Sequence, residues 1–117
     1  MSIIAIVLDE KVAPPQALLK FHKALGLSLQ SVRDSWIHGH PVVELEIFEG
    51  DYQQKSKDIR LVLKIIDEEN LGARFYEIPF GEKYAGNQNL KMWEIDASIV
   101  INILDAADKE VERQMDN

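Results

Sequence analysis

His38-Gly39-His40 sets two imidazoles two residues apart. In an extended chain that spacing turns both to one side, where they could share a metal ion. A site needs further ligands, and the nearest acids that follow on one strand face are Glu44 and Glu46. A metal-dependent enzyme built on His38 and His40 is one reading. A polar loop between a helix and a strand accounts for the same residues without a metal, and the expectation is therefore no metal and no cofactor. Carboxylates also group at Glu44/Glu46, Asp67/Glu68/Glu69 and Asp105/Asp108. Acid–base hydrolysis needs two carboxylates in a cleft that separates their pKa values. None of these groups lies in an apolar stretch that would raise a pKa by desolvation, so they read as solvated faces. Ser2, Ser28, Ser31, Ser35, Ser56 and Ser98 form no Gly-x-Ser-x-Gly elbow, and no glycine-rich loop could cradle a phosphate. The chain is expected not to be an enzyme.

The stretch Val42–Asp51 carries chemistry of another kind. It holds Glu44, Glu46, Glu49 and Asp51 without one base in ten residues, with Phe48 among them. Like charges on one strand face repel, and a basic partner turns that repulsion into attraction. Aromatic residues beside such charge supply anchoring area. Glu44, Glu46, Phe48, Glu49, Asp51 and Tyr52 are the candidate partner-binding residues, with Tyr84 or Trp93 as further anchors. The competing reading has Phe48 and Trp93 covered by the last helix.

These residues must be positioned by the elements around them. Ser2–Leu8 is an apolar, β-branched run without alternation, as in a central strand covered on at least one face. Pro15 suits the first turn of a helix that runs to Leu25. Gly26 stops it, Ser28 caps a second helix to Ile37, and Gly39 and Pro41 close that one. Val42–Phe48 alternates as a half-exposed strand, with Val43, Leu45 and Ile47 on one face and Val42, Glu44, Glu46 and Phe48 on the other. Asp51 caps a long helix from Tyr52 to about Asn70, which Gly72 is expected to end as Gly26 ends the first. Ala73–Ile78 reads as a strand stopped by Pro79, and Phe80–Asn89 as a long loop. Leu90–Ile95 reads as a short strand. Asp96 then caps a final helix with Ile99, Ile103, Leu104, Ala107, Val111 and Met115 on one face.

The predicted class is α+β: a small sheet of three to four strands against helices, in the order β-α-α-β-α-β. A loop, the short strand and a C-terminal helix over about 96–115 follow. One domain spans residues 1–117, a length that supports a conventional core. No cysteine is present, so disulfides and thiolate metal sites are excluded. The apolar start lacks a basic leader and meets Asp9 and Glu10 at once, so it reads as a strand and not a secretory signal. No run reaches the roughly 20 apolar residues that cross a bilayer. A cytoplasmic protein is expected. The net charge is −7, with residues 1–40 slightly basic and residues 41–117 holding the whole excess of acid. Such a surface repels phosphate backbones and speeds encounter with basic proteins.

The sequence LGLSLQSVR from Leu25 to Arg33 and the stretch IIDEENLGARFYEI from Ile65 carry a family likeness. With the element order over residues 15–78, they resemble the C-terminal domain of ribosomal protein L7/L12. Gly26, Leu27 and Leu29 match that family's corner, and Arg33 replaces a lysine. In the family, basic residues on the hairpin contact translation factors. Here Leu19, His22 and Gln30 stand at those positions and only Arg33 keeps its charge. Residues 79–117 have no counterpart and form an extension. The likeness implies a fold; the exchange of charge implies a different surface.

Two functions are therefore carried forward. The first is a non-catalytic acidic protein, of the immunity-protein or antitoxin type, that occludes a basic, nuclease-like toxin. It would bind neither nucleic acid nor membrane. The second is an L7/L12-like module that recruits a translation factor or another ribosome-associated partner.

Overall fold

The computed structural model describes residues 2–9, 13–47 and 50–115. Its elements are β1 (Ile3–Leu8), α1 (Pro15–Leu25), α2 (Leu29–Ile37), β2 (Val43–Glu46), α3 (Tyr52–Glu68), β3 (Ala73–Ile78), α4 (Leu90–Trp93), β4 (Glu94–Ile95) and α5 (Ala97–Met115). The strands form one antiparallel sheet in the order β2-β1-β3-β4. The chain is α+β, as its pattern predicts.

β1 lies inside the sheet and is buried on both faces, which is why its sequence does not alternate. Ile4, Ile6 and Leu8 meet the helices, against Phe21 of α1, Trp36 of α2, Ile59 and Val62 of α3, and Val100 and Leu104 of α5. Phe21 and Trp36 are in edge contact, with ring centroids 5.6 Å apart. On the other face Ala5 and Val7 join Tyr76 and Ile78 of β3, under Tyr84, Leu90 and Trp93 from the segment that follows β3.

The helical corner forms as expected. Gly26 takes φ +67° and its amide donates to the His22 carbonyl, while Ser28 accepts from the Ser31 amide at 3.0 Å. Asp51 caps α3 by accepting from the Gln54 amide at 3.2 Å, and Asp96 caps α5 by accepting from the Ile99 amide at 3.0 Å.

Five expectations are corrected. The second strand ends at Glu46, not Phe48, and Val42 joins Val43 in the helix-side core because the chain bends at Val42, whose amide donates to the Ile6 carbonyl although Val43 is the residue that faces Ile6. Asn70, not Gly72, takes the left-handed conformation after α3, at φ 54°. Asparagine tolerates that region better than other side chains. Leu90–Ile95 is one helical turn followed by two strand residues that pair with Phe75 and Tyr76. The buried stripe of α5 runs through Val100, Leu104 and Ala107, leaving Ile99 39 % exposed. Trp93 is covered on the sheet face away from α5, not by that helix.

Candidate protein-binding edge

β2 is the outer strand and, among the described residues, pairs only with β1. Its register sets Glu44 beside Ala5 and Glu46 beside Ile3. Both glutamates therefore lie on the sheet face away from the helices, since Ala5 belongs to that face. Glu44 is exposed and its carboxylate accepts from the Tyr84 amide at 3.0 Å. Glu46 is half-buried, and its backbone carbonyl accepts from Lys55 Nζ at 2.6 Å. Asp51 is exposed at the start of α3, where the helix dipole favours a negative charge. Phe48 and Glu49 lie outside the described residues.

Tyr52 points the other way. Its hydroxyl meets the Leu104 carbonyl at 2.9 Å and Asp108 Oδ1 at 2.6 Å, joining α3 to α5. Burial, and then the bond to Asp108, push its pKa up to about 12. Of the six candidates, the structure brings Glu44 and Glu46 onto one face, sets Asp51 at a helix start and turns the Tyr52 hydroxyl inward.

Some of the other acids are held by a base within the chain. Lys20 of α1 reaches Glu69 at 3.0 Å and Glu68 at 3.9 Å, and the bond to Glu69 raises the lysine pKa. Arg60 of α3 bridges Asp105 at 3.0 Å and Asp108 at 2.8 Å. Arg74 holds Asp9 at 3.0 Å, and Arg113 holds Glu110. Glu44 and Asp51 make no ion pair among the described residues.

His38 and His40 stack with ring centroids 6.2 Å apart, and His38 Nδ1 is bonded to the Asp34 carbonyl at 2.8 Å. No three His, Cys, Asp or Glu side chains among the described residues gather where a metal ion could sit. No helix among them is long and apolar enough to cross a membrane.

Sequence reasoning missed two features. One is the bond from the Tyr84 amide to Glu44, which ties the 79–93 segment to β2 across 40 positions. The other is an apolar groove of about 850 Å³ between α3 and α5, lined by Leu63, Ile66, Leu71, Phe75, Ala97 and Ile101 among others. No local pattern announces either, because both arise from segments far apart in sequence. Comparison with models of protein families, with curated proteins and with solved structures finds no match to this chain.

Proposed function

We propose that this chain is a small, non-catalytic cytoplasmic protein that binds a basic protein partner through the acidic edge at β2. Its mode of action is the immunity-protein or antitoxin mode. Carboxylates occupy the lysines and arginines with which a nuclease-like toxin would hold phosphate. One observation carries the reading: Glu44 on the outer strand and Asp51 at the helix start that follows it are both exposed and make no ion pair among the described residues. Uncompensated charge at a surface steers association and selects partners of opposite sign.

The test is Glu44→Gln combined with Asp51→Asn. Each substitution keeps the acceptor that the Tyr84 or Gln54 amide uses, so the charge goes and the fold stays. Capture from the native host, followed by mass spectrometry, is expected to return a protein of high pI. Its affinity should fall roughly tenfold in the double variant and also fall with added salt. A captured partner that is acidic, or indifferent to the double variant, would overturn the proposal.

The L7/L12-like reading has an observation of its own. Leu19, Leu27 and Leu29 are 44 %, 42 % and 43 % exposed on the α1–α2 hairpin. Lys23 and Arg33 of the same hairpin are exposed and make no ion pair among the described residues. Under that reading Arg33→Glu abolishes binding and the Glu44/Asp51 variant does not. Under the leading reading the two variants behave in the opposite way.

A further inference from the structure

We infer that the groove between α3 and α5 is a binding site for a small molecule with an apolar body and one uncharged polar end, of the class of a medium-chain alcohol. The inference is independent of the acidic edge, because no residue lining the groove belongs to β2. The groove follows from how the sheet ends. β4 pairs through Ile95 with Phe75 and through Glu94 with Tyr76. The next residue, Asp96, caps α5, so the chain leaves the sheet there. Among the described residues, Ala73 therefore has a strand beside it only on the β1 side. α3 and α5 stand on either side of the space that is left, while Tyr52 and Arg60 tie the two helices together farther along. Gly72, Ala73 and Ala97 line the space and are too small to fill it.

A volume of about 850 Å³ falls among small-molecule sites, which run from about 300 to 1,000 Å³ and are mostly apolar with a few placed polar groups. Phe75, a core residue, contributes to the lining, and Ile101 of α5 stays 40 % exposed beside it. Covering such surface is what an apolar body gains. The charges around the groove decide the other end of the ligand. Arg60 is held by Asp105 at 3.0 Å and Asp108 at 2.8 Å, so its charge is already met. Lys64 and Asp67 are exposed, three positions apart on α3, and make no ion pair among the described residues. A cationic head gains from Asp67 what it loses to Lys64, and an anionic head the reverse, so neither sign is preferred. Asn70 adds a side-chain amide, an uncharged donor and acceptor that suits a hydroxyl group. The matching head is neutral.

The experiment titrates the isotopically labelled full chain with hexan-1-ol, octan-1-ol and decan-1-ol, and reads amide and methyl shifts. Shifts are expected within residues 60–75 and 97–101. Affinity should rise about two- to fourfold per added methylene, the upper figure being full burial. Decanoate and decylammonium should bind no tighter than decan-1-ol. Ile101→Gln alters an exposed position and should weaken decan-1-ol about threefold or more. Ala97→Leu fills the groove and should weaken it about tenfold or more; if that variant does not fold, Ile101→Gln decides. Glu44→Gln with Asp51→Asn should leave the alcohols unaffected, so failure of this site and failure of the acidic edge are seen separately. No binding up to the solubility of decan-1-ol, shifts elsewhere in the chain, or affinity flat with chain length would overturn the proposal. So would a tenfold preference for either charged analogue, or an Ile101→Gln variant that binds like its parent. Shifts in the groove that grow with protein concentration without alcohol would also overturn it, and would identify a second copy as the occupant.

Discussion

Replacing Tyr52 by phenylalanine removes one oxygen atom from the joint between α3 and α5. The hydroxyl has one proton and two acceptors, the Leu104 carbonyl at 2.9 Å and Asp108 Oδ1 at 2.6 Å, so it satisfies one at a time. A hydrogen bond to a charged group contributes about 1.5–3 kcal/mol. The Asp108 side chain is 44 % exposed and Arg60 continues to hold it at 2.8 Å, so the lower end applies after solvent screening, about 1–1.5 kcal/mol. The tyrosine pKa gives a second measure. Raised from 10 to about 12, it corresponds to about 2.7 kcal/mol before screening. Burial is the larger cause of that rise, and it penalises the phenolate without strengthening the bond, so the smaller figure is the better one.

The sign follows from a folded pKa above the unfolded one. The contribution is complete below pH 10 and is lost as pH rises through about 12. Urea unfolding followed by circular dichroism should show Tyr52→Phe less stable by about 1–1.5 kcal/mol at neutral pH, or roughly 3–6 °C in Tm. The gap between variant and parent should close in the alkaline range. All other ionisable groups are common to both proteins, so the difference isolates Tyr52. A loss below about 0.3 kcal/mol that stays flat with pH would refute the joint, being within the scatter of ordinary surface substitutions. Partner binding should be unchanged, because the hydroxyl faces α5.

The phase of α5 is tested by a pair of neighbours: Val100→Asp buries a charge at a fully covered position and should unfold the chain or cost about 3 kcal/mol or more, whereas Ile99→Asp should shift Tm little. Thermal melts of the two decide between the stripe through Val100 and the one through Ile99. Removing the exposed charge of the outer strand by Glu44→Gln should promote self-association in sedimentation experiments, because a charge on an edge strand opposes its pairing with another strand. A variant that stays as monomeric as its parent at high concentration would show that this charge keeps no second copy away.

What could be read from the sequence was what its neighbours in the chain decide. The Gly26 corner, the Ser28, Asp51 and Asp96 caps, and the bounds of β3 depend on residues a few positions apart. The phase of α5 does not. SIVINIL offers more than one apolar stripe, and only contact with the rest of the helix layer selects Val100 over Ile99. Gly72 was the obvious terminator of α3, yet Asn70, two positions earlier, takes the left-handed turn. The cover over the outer sheet face comes from Tyr84, Leu90 and Trp93, whose spacing has neither helical nor strand period. For the candidate edge, the acids were legible and their pairing was not. The bond from Arg60 to Asp108 spans 48 positions, and no window of sequence contains both. Tyr52 was expected to face a partner for the same reason: nothing near it in sequence announces Asp108.

The position of β1 explains why Glu44 has no base beside it in the sheet. A strand buried on both faces can carry no ionised side chain without a costly desolvation, and β1 accordingly presents Ala5 to Glu44 and Ile3 to Glu46. The sheet neighbour that elsewhere could supply a neutralising lysine is thus barred from doing so. On the helix layer the constraint is absent. α1 delivers Lys20 to the end of α3, and α3 delivers Arg60 to α5, because these helices keep one face in water. Carboxylates on the outer strand can then be answered from three directions: the 79–93 segment, α3, or beyond the edge. The 79–93 segment answers Glu44 with an amide, which carries no charge, and Lys55 of α3 donates to a backbone carbonyl of Glu46. Of the three, the direction beyond the edge is the one from which a full countercharge can still arrive at Glu44. The burial of the strand behind it thus accounts for the absence of an internal base beside Glu44.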